Sequence, residues 1–167
     1  MLLKNLIKNP PQTVKDLNIK GLALNSNEVK KGFIFFAIRG SKSNGENFIN
    51  NAIKKGASIV VCSNECKYQS TKTHIIKTKN VKKYLSEITA KYYRSKPKNI
   101  IAVTGTNGKT SVADFFFQIL DKNKLKVASI GTLGIRYKNK FIKTNLTSPD
   151  IITLLCSNPW LDASIIT

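Results

Sequence analysis

The stretch Asn99-Ile-Ile-Ala-Val-Thr-Gly-Thr-Asn-Gly-Lys-Thr-Ser111 decides how this chain is read. Ile100, Ile101 and Val103 make a short β-branched run that predicts a buried strand. It passes directly into Gly105-Thr106-Asn107-Gly108-Lys109-Thr110. An apolar segment with helical spacing follows, through Val112, Phe115, Phe116, Ile119 and Leu120. Strand, glycine loop and helix in that order are what a phosphate-binding loop requires. The glycines let successive N–H groups point inward, and the helix N-terminus adds its partial positive charge. Gly105, Thr106, Asn107, Gly108, Lys109, Thr110 and Ser111 are therefore the candidate ATP-binding residues. Lys109, the candidate catalytic residue, would reach the β/γ-phosphates, and the Thr110 hydroxyl is placed to ligate Mg²⁺. The general pattern puts a glycine where this chain has Val103, so the loop is a tighter Gly-x-x-Gly-Lys-Thr. A plain glycine-rich turn with an incidental Lys-Thr is the competing reading, and the correctly placed strand and helix count against it.

Working outward, the polar stretch Arg94-Ser95-Lys96-Pro97-Lys98 divides the chain, its proline discouraging helix continuation. Residues 1–95 and 96–167 are read as two α/β domains. In the first, Gly32 to Ile38 predicts a buried strand. Phe48, Ile49, Ala52 and Ile53 then share one helical face, and the helix stops at Lys55-Gly56. Ala57 to Cys62 reads as another strand. Strand, helix and strand of these lengths make a βαβ unit, hence a parallel sheet. Val81, Tyr84, Leu85, Ile88 and Tyr92 mark a further amphipathic helix. In the second domain, Leu125 to Ile130 predicts a strand and Leu133 to Ile142 a hairpin turning at Lys138-Asn139-Lys140. Pro149 and Asp150 suit a helix start. A parallel nucleotide-binding sheet needs both faces covered. Some 70 residues supply too few elements for that, so residues 96–167 are expected to be an incomplete domain at the front of a longer protein.

Composition narrows the function classes. The apolar fraction of 41% suffices for a folded core, and no stretch approaches the roughly 20 apolar residues of a membrane-spanning helix. Lysines interrupt the N-terminal segment too early for a secretory signal, so the expected location is the cytoplasm, without membrane insertion. The net charge is +19, from 28 basic and 9 acidic residues, but the lysines are scattered and the arginines are only Arg39, Arg94 and Arg136. This reads as solvated surface rather than a nucleic-acid interface, with some charge useful toward anionic nucleotides. Cys62, Cys66 and Cys156 cannot all pair internally. The Cys62-x-x-x-Cys66 spacing, even with His74, is poor for zinc, so free thiols are expected.

These residues resemble the Mur ligases of peptidoglycan synthesis, most closely the branch that adds the third residue of the stem peptide. Gly105-Thr106-Asn107-Gly108-Lys109-Thr110-Ser111 is similar to that superfamily's own loop. Gly131-Thr132-Leu133-Gly134 and Leu146-Thr147-Ser148-Pro149-Asp150 resemble elements of this branch rather than the MurF branch. Val29 to Gly40, with Phe48-Ile49 and Ala52 to Ala57, resembles the family's N-terminal stretch.

The resemblance implies an N-terminal domain that holds the uridine nucleotide of UDP-N-acetylmuramoyl-L-alanyl-D-glutamate. It also implies a central ATP-binding domain and a C-terminal domain, absent here, for the incoming diamino acid. Substrate-binding roles fall on Ser26, Ser41, Lys42 and Ser43 at the uridine end, and on Thr147 and Ser148 at the muramoyl-peptide part. The implied reaction uses ATP and Mg²⁺ to activate the D-glutamate carboxylate as an acyl phosphate, which the amine then attacks. Diaminopimelate is expected before lysine, and this front part alone is expected to be inactive.

The chain also departs from the family. Asp-Ser-Arg is replaced by Asn25-Ser26-Asn27, which removes two charges beside the serine. Asp-Gly-His/Arg becomes Asn44-Gly45-Glu46, and Cys156-Ser157-Asn158-Pro159-Trp160 does not continue the expected helix. A MurF-type ligase, a folylpolyglutamate-type ligase and another P-loop ATPase remain the alternatives. Oligomeric state is not legible.

Overall fold

The computed structural model describes residues 1–40, 43–93, 97–143 and 163–166. Two compact units emerge, Met1–Tyr92 and Tyr93–Thr167.

The first unit is built on four parallel strands in the order β1-β2-β3-β4: β1 (Gly21–Ala23), β2 (Phe33–Phe36), β3 (Ala57–Ser63) and β4 (His74–Thr78). The expected βαβ unit is present. A 3₁₀ turn, Gly45–Phe48, leads into helix α1 (Ile49–Lys54), which returns the chain to β3. Asn44 starts that turn by accepting a hydrogen bond from the Glu46 N–H at 3.0 Å. The helix ends where anticipated, the Gly56 N–H donating to the Ile53 carbonyl at 2.9 Å. Ile49 and Ala52 of α1 pack with Ala23, Phe35, Ala37, Val60 and Cys62 in one apolar cluster. Helix α2 (Val81–Tyr92) lies against β3, burying Val81, Leu85 and Ile88. Its first turn is capped by the Asn80 side chain, which accepts from the Lys83 N–H at 2.9 Å. With helices on both faces, β3 is buried along almost its whole length, as a central parallel strand should be. Strands β1 and β4 are additions to the sequence reading; each is short, and β4 is only half-buried.

The second unit holds a mixed sheet, β5-β9-β6-β7-β8. Strand β5 (Asn99–Ala102) leads through the glycine loop to helix α3 (Lys109–Lys122) and on to β6 (Val127–Gly131). The hairpin of β7 (Gly134–Tyr137) and β8 (Lys140–Ile142) then adds antiparallel strands. Strand β9 (Ala163–Ile166) inserts between β5 and β6, parallel to both. Nothing in Ala-Ser-Ile-Ile announced it, because four residues carry no usable periodicity and the strand exists only through its two neighbours.

Two expectations are corrected. Strand β5 is not buried: it lies at the sheet edge, and Ile100 is 58% exposed. Of the apolar positions read in α3, Leu120 alone joins the packed face. Ala113 and Phe117 are buried with Val127 and Ile165, joined by Leu120, whereas Val112, Phe115, Phe116 and Ile119 are exposed. The apolar residues of α3 form a broad arc opposite a polar face that carries Thr110, Asp114, Gln118 and Asp121, so its sequence could not say which part of that arc meets the sheet.

No helix among the described residues is long and apolar enough to cross a membrane. Cys62 and Cys66 are free and buried. Burial and the adjoining Cys66 thiol push the Cys62 thiol up to about 12, the signature of an inert cysteine. Cys156 lies outside the described residues, and no cluster of three metal-ligating side chains occurs among the described ones.

Candidate functional site

The glycine loop sits between the end of β5 and the start of α3. Gly108 is the helix N-cap, with φ +75° and ψ −4°, a left-handed conformation that favours glycine. A Cβ built there would meet nothing within 4 Å, so the space beside the loop is open. The Lys109 ammonium folds back over the loop, donating to the Gly105 carbonyl and, at 3.4 Å, to that of Thr106. A cation whose partners among the described residues are its own loop's carbonyls is well placed to transfer to an incoming anion. Gly105, Thr106, Asn107 and Gly108 are exposed.

Thr110 and Ser111, in the first turn of α3, line a cavity of about 510 Å³. Its far wall is the turn between β6 and β7 (Gly131, Thr132, Leu133, Gly134), with Ser129 and Phe141. Asp114 and Arg136 form an ion pair across it. The Arg136 guanidinium also lies 4.3 Å from the centroid of the Phe117 ring, and Gln118 donates to the second Asp114 oxygen at 2.6 Å. The hairpin is thereby strapped to the helix that carries Thr110. Sequence reasoning missed Asp114 and Arg136, which lie 22 residues apart. Only the β6–β7 register and the seat of α3 bring them together.

In the first unit, the uridine-end candidates follow the strands. Ser26 comes after β1, in a short 3₁₀ turn (Ser26–Glu28), and is 5% exposed. Ser43 comes in the loop after β2, and the Gly40 N–H donates to the Ser43 carbonyl at 2.9 Å. Arg39, at the base of this loop, forks between Glu65 at 2.9 Å and Glu46 at 3.3 Å; Ser63 donates to Glu46 at 2.8 Å. Burial works to raise the Glu46 pKa, but the hydrogen bonds from Ser63 and Arg39 outweigh it and hold the carboxyl below its ordinary range. The same pairing, with Glu46 first, raises Arg39 further. Glu46 thus stands where the family pattern has a cation, and Arg39 supplies the opposite charge. Ser41, Lys42, Thr147 and Ser148 lie outside the described residues.

Comparison with known proteins follows the same division. Residues 18–93 match the family description "Mur ligase family, catalytic domain", and residues 103–157 match "Mur ligase middle domain". The chain belongs to the Mur ligase family. Among relatives, a UDP-N-acetylmuramoyl-L-alanyl-D-glutamate–2,6-diaminopimelate ligase of Zymomonas mobilis is 40% identical over 146 residues, covering 86% of this chain and 30% of its own length. The same-named ligase of Rickettsia conorii is 42% identical over 127 residues, covering 76% of this chain and 26% of its own. A solved structure of a ligase of that name overlays with a TM-score of 0.79 at 22% identity, over 99% of this chain and 35% of its own. A MurF ligase from Thermotoga maritima in complex with ADP gives 0.61 at 23% identity, over 90% of this chain and 32% of its own. These overlays establish the Mur ligase fold. The chain spans roughly 30% of the length of the relatives it matches.

Proposed function

We propose that this chain is the nucleotide-holding part of an ATP-dependent amide ligase of peptidoglycan precursor synthesis. The ligase would join diaminopimelate to UDP-N-acetylmuramoyl-L-alanyl-D-glutamate in the cytoplasm. The names of relatives at 40% and 42% identity support the substrate assignment. In this reading residues 1–95 take the uridine nucleotide, through Ser26, Ser41, Lys42 and Ser43, and residues 96–167 take ATP. Thr147 and Ser148 meet the muramoyl-peptide part.

The observation that carries the reading is the loop itself: a half-buried lysine resting on the carbonyls of an exposed loop, beside hydroxyls that open onto a cavity. These residues fit a triphosphate. ATP supplies the phosphoryl group that activates the D-glutamyl carboxylate for attack by the amine. Lys109 exchanges the Gly105 carbonyl for phosphate oxygens and neutralises charge there, and the loop N–H groups orient them. The Thr110 hydroxyl is the protein ligand for Mg²⁺ in this reading.

Calorimetric titration of the chain with UDP-N-acetylmuramoyl-dipeptide, and separately with ATP and Mg²⁺, tests the two halves. Saturable binding of each is expected, and silence toward the uridine compound overturns the substrate assignment. In a full-length ligase carrying these domains, Lys109→Ala should abolish turnover. Near-normal turnover in that variant refutes the role of Lys109.

A further inference from the structure

Ser26 is nearly enclosed, yet its hydrogen bonding is half used. Its Oγ accepts from the Asn51 side-chain amide at 3.1 Å. Among the described residues no acceptor takes the serine's own proton. A hydroxyl whose lone pair is claimed by a fixed N–H has a restricted rotor, and its O–H is directed away from that donor. Asn51 is itself set by α1. The next turn of that helix brings Lys55, whose ammonium donates to the Asn27 carbonyl at 3.1 Å and to the Asn27 side-chain oxygen at 3.2 Å. Asn27 also receives a longer contact from the Asn51 amide, 3.4 Å. The Asn25 side chain closes the turn from the other side, accepting from the Asn27 N–H at 2.9 Å.

The neutral sequence Asn25-Ser26-Asn27 is therefore held from α1, by one amide and one ammonium, rather than by charges of its own. From this arrangement we infer that Asn51 and Lys55 are positioning residues. Asn51 commits the Ser26 hydroxyl to act as a donor, toward an acceptor oxygen of the bound uridine nucleotide, and Lys55 keeps the turn that carries it in place. The inference rests on the proposed uridine-binding role of this unit. Neither residue needs to touch the ligand: Asn51 works through Ser26, and Lys55 through Asn27.

A double-mutant cycle on the full chain tests this, with the affinity for UDP-N-acetylmuramoyl-dipeptide measured by calorimetry. Asn51→Ala should weaken binding about tenfold, the value of one hydrogen bond of ordinary net strength. The same substitution in a Ser26→Ala background should cost almost nothing further, because its route to the ligand is already gone. Lys55→Met should also weaken uridine binding, and Lys55→Arg, which keeps a donor cation, should restore most of it. Affinity for ATP with Mg²⁺, read in the second unit, should be unchanged in every one of these variants. Equal losses for Asn51→Ala with and without Ser26 overturn the inference, as does a loss shared with ATP binding, which would mark general unfolding. A wild-type chain that ignores the uridine compound overturns instead the reading on which the inference stands.

Discussion

Replacing Gly108 by alanine isolates the backbone cost of the phosphate loop from any steric cost. The residue sits at φ +75°, where an L side chain is strained by about 1–2 kcal/mol. Alanine also restricts the unfolded chain, which returns roughly 0.4–1 kcal/mol when the native conformation is compatible; here it is not, so the strain prevails. No collision adds to it, since a Cβ at this position meets no atom within 4 Å. The net loss is thus about 1 kcal/mol. In a domain of this size that lowers the melting temperature of the second unit by roughly 4–8 °C. Thermal denaturation followed by circular dichroism, with and without ATP and Mg²⁺, reads both the loss and any remaining ligand stabilisation. A cost of 3 kcal/mol or more would mean the loop is packed against something the open geometry denies. No cost at all would mean Gly108 is not left-handed. Either result refutes the reasoning.

Gly45→Ala is the opposite case. Its Cβ would fall 2.6 Å from the Ile38 carbonyl oxygen and 2.7 Å from the Ile38 nitrogen, both backbone. The first unit should lose at least about 2 kcal/mol, against the usual 1–3 for overpacking, and equilibrium urea unfolding measures it. In α3, Phe117→Ala should cost about 3–5 kcal/mol, and Phe115→Ser should stay within about 0.5 kcal/mol, because only the former ring is buried. The reverse ranking in the same unfolding assay would show the helix turned on its axis. For Glu46, a folded-state pKa held below its ordinary value contributes stability that is complete above the unfolded pKa. That contribution is lost as pH falls through the folded one. Glu46→Gln should therefore destabilise at neutral pH and converge on the wild type in acid. A stability gap independent of pH would exclude the charge as its source.

The sequence was most informative where function and local geometry coincide. A β-branched run, a glycine loop and a helix start are adjacent in the chain, so Gly105 to Ser111 could be read as one device. The βαβ pattern of the first unit was legible for a similar reason, since α1 and β3 each carry their own periodicity and a clear stop at Lys55-Gly56. Elements without a local signature were not. Strands β1, β4 and β9 are three to five residues long and depend on hydrogen bonds to partners elsewhere in the chain.

What the order of residues determined by itself was the chemistry on offer: a lysine and a threonine hydroxyl after a left-handed glycine, ahead of a helix. What only tertiary structure decided was which groups surround that chemistry. The stripe of α3 that faces the sheet is chosen by the surface it meets, because its apolar arc is broader than one packing face and has no preference within that arc. Arg136 finds Asp114, Arg39 finds Glu46, and Asn51 finds Ser26 through sheet register and helix placement. A hydrogen bond selects its partner by distance and angle in space, and neither is encoded at the positions that make it.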